Sequence, residues 1–113
     1  MADFIFRSIS KVKKGGLSYQ YQDWMENAHF PDMHKTNCFE GETIKQIDSM
    51  SDDDFDIICY THQVKGPSEW KTYNDTENFR PKLKKDYADR WGALMAGKHV
   101  IPVIQTVGYE SEL

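Results

Sequence analysis

The sequence predicts an α+β domain, with a mixed or antiparallel sheet of about four strands in the order β-β-α-β-α-β and helices packed on one face. Three observations carry that expectation. Residues Phe55 to Val64 form a run rich in β-branched and aromatic side chains, as a buried strand requires. Residues Pro81 to Ala96 place Leu83, Tyr87, Trp91, Leu94 and Met95 on one helical stripe. Leu17 to Gln22 alternates apolar and polar residues with period two.

In chain order, Phe4, Ile5, Phe6 and Ile9 mark Asp3 to Val12 as a first strand. Lys13-Lys14-Gly15-Gly16 is a turn signal, so this strand and Leu17 to Gln22 should form a β-hairpin. Asp23 to Glu40 carries apolar residues without a clean period, and Pro31 interrupts any helix there. It reads as a long loop with a helical turn before Pro31, and loops of that length are often functional. Ile44, Ile47 and Met50 recur at helical spacing, which predicts a short helix over Glu42 to Met50 closed by Ser51-Asp52-Asp53-Asp54. Lys65-Gly66-Pro67-Ser68 ends the strand of Phe55 to Val64, and a polar loop runs on to Arg80. Pro81 suits the first turn of the long helix and Gly97 its C-terminal cap. Val100 to Val107 is the last strand, where Pro102 lacks an N–H donor and points to an edge or a bulge.

Composition narrows the function classes. The 113 residues suit a single globular domain, 1–113. Net charge is −4, whereas a domain working on phosphate backbones is usually basic, so nucleic acid is disfavoured as a partner. Two cysteines are too few for a disulfide framework. The sequence shows neither an apolar run of membrane-spanning length nor the pattern of a signal peptide, so the expected compartment is the cytoplasm, without a membrane partner. Glycine-rich nucleotide loops and the GxSxG elbow are missing as well, and no cofactor is expected. The edge implied by Pro102 and the acidic end Gly108 to Leu113 leave the oligomeric state open.

Three constellations could carry chemistry. His29, His34, Cys38, Cys59 and His62 are zinc-ligand types, and His34-x3-Cys38 and Cys59-x2-His62 are spaced closely enough for each pair to chelate one ion. The same cysteines beside a histidine would make a nucleophilic site, with Cys38 the more accessible thiol. Arg7, Lys11, Lys13 and Lys14 beside Phe4, Phe6, Tyr19 and Tyr21 would let the hairpin bind a single nucleic-acid strand by stacking and charge. Arg80, Lys82, Lys84 and Lys85 also crowd the start of the long helix, where the dipole disfavours cations. None of these amounts to a catalytic motif. The leading expectation is therefore a small acidic protein-binding module, an inhibitor or regulator of another macromolecule. It would use the loop rings Trp24, Phe30, Phe39, Trp70 and Tyr73, with Arg80 and Lys84 beside them.

Overall fold

The computed structural model describes residues 3–49, 54–75 and 78–113. Strand β1 spans Phe4–Lys13 and is followed by helix α1, Gly16–Trp24. A π-helical turn, Met25–His29, runs directly into α2, Phe30–His34. Strands β2 (Phe39–Ser49) and β3 (Phe55–Val64) come next, then α3 (Pro67–Asn74), α4 (Arg80–Ala96) and β4 (Val100–Tyr109). A 3-10 turn, Glu110–Glu112, closes the chain. The sheet order is β2-β3-β1-β4, and every neighbouring pair is antiparallel. This is the β-α-β-β-α-β arrangement of two interleaved split β-α-β units.

The α+β class, the four-stranded sheet and the helices on one face agree with the sequence expectation; the expected order β-β-α-β-α-β does not, because two elements are of the other type, and the expected loops of residues 23–40 and 66–80 contain helices. The predicted hairpin is absent, because Leu17 to Gln22 is helical. Its period-two pattern coincides with a helical one: Ser18, Tyr21 and Met25 are buried on one stripe, whereas Tyr19 is 75 % exposed. Gly15, at φ +94°, turns the chain out of β1 into that helix. The predicted helix of Glu42 to Met50 is strand β2, at a sheet edge. Ile44 pairs with Thr61 and Ile47 with Ile58, so they face opposite sides of the sheet. Met50 and residues 51–53 of the predicted boundary lie outside the described residues. The polar loop before Arg80 contains α3.

The remaining elements sit where expected. Pro102 pairs with Ser10 and Ile104 with Ile9, so β4 carries one extra residue opposite β1. The proline thus lies on an edge strand beside a bulge, where its missing donor costs least. Gly97 caps α4, but the left-handed residue is Lys98, at φ +61°.

The core lies between the sheet's helix-facing side and the helices. It contains Val12, Tyr21, Met33, Ile58, Tyr60, Val64, Trp91 and Val100. Lys45 ties β2 to α1 through Gln22 Oε1 at 3.2 Å and to the π-helical turn through Glu26 Oε2 at 3.1 Å. Among the described residues, no helix packs on the other side of the sheet. Arg7 donates to Thr61 Oγ1 at 3.2 Å there, and Lys11 lies 5.3 Å from the centre of the Phe55 ring.

Candidate functional site

The helix-facing positions of β1 are Phe6, Ser8, Ser10 and Val12, as their pairings with His62, Tyr60, Ile58 and Asp56 of β3 show. Two serines on a central strand leave unfilled the volume that larger apolar side chains would take. Above them lies a cavity of about 410 Å³, roofed by α4 and bounded on one side by α1, the π-helical turn and α2. Its walls are largely apolar, with Met25, Phe30, Met33 and Leu83 among them.

The polar groups converge in two places. At one end, Tyr21 donates to Ser10 Oγ at 3.3 Å and its hydroxyl lies 3.4 Å from that of Tyr87. Burial raises the pKa of both phenols above the ordinary value, so at neutral pH each is an uncharged O–H donor. At the other end stands Arg80. Its guanidinium packs over Phe6 and Trp70, 5.3 and 5.2 Å from the ring centres. Nη1 donates to Asn74 Oδ1 and Nη2 to Gln105 Oε1, each at 2.6 Å. Burial lowers the Arg80 pKa, which records the cost of desolvating the charge. Burial pushes the nearby Tyr73 phenol up to about 12, against the opposing effect of Arg80.

Two histidines also line the cavity, His62 opposite Phe6 on the neighbouring strand and His29 beside Tyr87. His62 is buried between Phe30 and Phe39, with Nδ1 2.9 Å from Thr43 Oγ1. Burial, aided by the nearby His34 and His29, lowers its pKa to about 3, so it is neutral at physiological pH. His29 stacks on Trp24, and its buried Nδ1 has no hydrogen-bond partner among the described residues. Burial lowers its pKa too, against Asp86 and Asp32, which favour the charged form.

The structure redistributes the predicted site residues. Phe30, Phe39 and Tyr73 are buried core rings, because the first two lie on α2 and β2 and the third on α3 rather than on loops. Trp24 and Trp70 are partly buried against that core. Phe30, Tyr73, Arg80 and Lys84 come together as cavity lining; Trp24 and Phe39 do not line it. The metal set does not assemble. Cys59 and His62 are three residues apart on one strand and so face opposite sides of the sheet. The buried Cys38 thiol lies 3.5 Å from the Thr36 carbonyl oxygen. Among the described residues, no group of three His, Cys, Asp or Glu is placed to hold a metal ion. The proposed nucleic-acid face goes with the hairpin, since Tyr21 is buried within α1. The sequence reading missed Ser8, Ser10, Tyr87 and Gln105 as site residues, and it named Tyr21 and His29 for other roles, a nucleic-acid face and a metal site. One signal was present: Ser8 and Ser10 fall between Phe6 and Val12 at alternate positions of β1, which marks a core face with space in it.

No protein-family model matches this chain, and no curated protein matches it. Among solved structures, it is similar to the crystal structure of an ethyl tert-butyl ether d (EthD) family protein from Bacillus halodurans c-125. That likeness has a TM-score of 0.52 and 17 % sequence identity, covering 94 % of this chain and 98 % of the other. It extends to the fold. No helix among the described residues is long and apolar enough to cross a membrane.

Proposed function

We propose that this chain binds a small, largely apolar molecule in the cavity between its sheet and α4. The observation that carries this reading is the cavity's composition: about 410 Å³ of space with apolar walls and a few convergent polar groups. Ligand sites of about 300–1,000 Å³ are commonly built in this way. The hydroxyls of Tyr21, Tyr87 and Ser10 would orient a carbonyl or hydroxyl on the ligand, while the apolar walls would supply most of the affinity. Ser8→Phe tests it by placing a ring in the cavity floor. Binding of apolar fluorescent probes should fall steeply in that variant while the circular dichroism spectrum is kept. Unchanged binding would place the probes elsewhere and remove the reading.

A second reading keeps a protein-binding role, as an inhibitor or regulator, and moves it to the uncovered side of the sheet. What favours it is exposed apolar surface on β2 and β4, where Ile44, paired with Thr61, is 60 % exposed and Ile104, paired with Ile9, is 48 % exposed. Sedimentation velocity on the wild type and on Ile44→Lys with Ile104→Lys tests the simplest form, pairing of two copies through that side. A complex in the first and a monomer in the second supports it, and a monomer in both dismisses this form.

A further inference from the structure

We propose that the cavity's ligand is an organic anion, an extended unsaturated molecule whose carboxylate or sulfonate sits at Arg80 and whose far end accepts a hydrogen bond from Tyr21 or Tyr87. This rests on the small-molecule reading above and specifies its chemistry.

Charge is the first argument. Acidic residues outnumber Lys and Arg in this chain by 18 to 14, yet among the described residues no Asp or Glu lines the cavity. Its charged lining residues are Arg80 and Lys84, four residues apart and so on the same face of α4. The cavity thus has the opposite sign to the molecule that holds it. Such a site selects anions by local field, whatever the net charge.

Preorganisation is the second argument. Arg80 is held in place by two aromatic rings and two side-chain amides, all neutral. Among the described residues no carboxylate forms an ion pair with it. Two of its five N–H donors are engaged by those amides, and a guanidinium presents the rest in a fixed fork that matches a carboxylate. A partly desolvated cation without a counter-charge is costly to keep, and an anionic ligand would offset that cost. The rings that flank it would also favour an unsaturated ligand skeleton.

Length is the third. Arg80 and Tyr87 are seven residues apart on α4, a separation of about 10 Å along the axis. Beneath them, Phe6 and Ser10 are four residues apart on β1, about 13 Å along the strand. An acid group at one end and an acceptor at the other therefore define a ligand of roughly two fused or linked rings.

Two fluorescent probes with the same rings separate the charge from the skeleton: 8-anilinonaphthalene-1-sulfonate, an anion, and N-phenyl-1-naphthylamine, its neutral counterpart. The neutral probe is the more apolar, so an uncharged apolar cavity would bind it more tightly. We expect the anion to bind about tenfold more tightly than the neutral probe, since a hydrogen bond to a charged group is worth roughly one such factor or more. Arg80→Gln should remove about that factor for the anion and leave the neutral probe within about twofold, and Arg80→Lys, which restores the charge without the fork, should recover only part of it. Tighter binding of the neutral probe by the wild type, with Arg80→Gln affecting neither, overturns the anion proposal and leaves the cavity reading standing. Failure of both probes to bind, or binding indifferent to Ser8→Phe, overturns the cavity reading itself. If Arg80→Gln does not fold, the wild-type ratio of the two affinities decides.

Discussion

Replacing His62 with phenylalanine should remove much of the acid sensitivity of this fold. The imidazole is enclosed by Phe6, Phe30 and Phe39, and burial holds its pKa near 3 against an ordinary 6.5. A histidine kept neutral in the folded chain takes up a proton more readily once unfolded. Its contribution is therefore complete above pH 6.5 and is lost progressively as the pH falls toward 3. The unfolded chain holds about a quarter of a proton at this site at pH 7 and nearly a whole one at pH 5, while the folded chain holds almost none. Integrated over that interval, the linkage amounts to about 2 kcal/mol of lost stability. The assay is urea unfolding at the two pH values, read as the difference in unfolding free energy. His62→Phe keeps an aromatic ring in an aromatic cage and leaves Thr43, which is only partly buried, to bond water. The pH difference should shrink by about 2 kcal/mol, with a residue from His29, whose lowered pKa acts in the same direction. If the variant loses as much stability as the wild type between pH 7 and 5, His62 is not the buried neutral group described, and the reasoning fails.

Other substitutions test the packing. Trp91→Ala should cost about 3–5 kcal/mol by urea unfolding, because a fully buried ring at the centre of the α4 stripe would leave a cavity. Tyr21→Phe should cost about 0.5–1.5 kcal/mol, since it deletes the hydroxyl that bridges Ser10 and Tyr87 while keeping the ring. Gly41→Ala should lower stability by about 1 kcal/mol, with thermal unfolding as the check. Gly41 has φ +69°, and an added Cβ would lie 3.2 Å from Gln63 Oε1.

The sequence made β3, α4 and β4 legible because each has one dominant pattern: a dense β-branched run, a single apolar stripe, and a strand with a proline at a tolerated place. The first helix was hidden by coincidence, because Leu17, Tyr19 and Tyr21 satisfy a strand template over six residues. Extending the window to Met25 would have favoured the helix. Beyond Met25 the periodicity breaks for a physical reason. The π-helical turn Met25–His29 adds to the residues per turn, so the buried positions Met25, Phe30 and Met33 fall out of phase with a 3.6-residue repeat. Pro31 then looks like a helix breaker, although it stands in α2 directly after the π-helical turn. Strand β2 was obscure because it lies at an edge with most of both faces open, so no alternation is imposed on it. At the site, Arg80 and Lys84 stood out as charges in an unfavourable place on a helix. The hydroxyls did not, since only the pairing of β1 with β3 and the packing of α1 and α4 bring them together.

The two serines of β1 also bear on how far a shared backbone can be trusted as a guide to chemistry. Ser8 and Ser10 belong to the innermost part of the sheet, yet their small size leaves the volume above them open. A chain with valine or leucine at these two places could follow the same trace, strand for strand, and be solid where this one is hollow. Likeness of architecture between two such proteins would then be compatible with one holding a guest molecule and the other holding none, the difference residing in a handful of methyl groups.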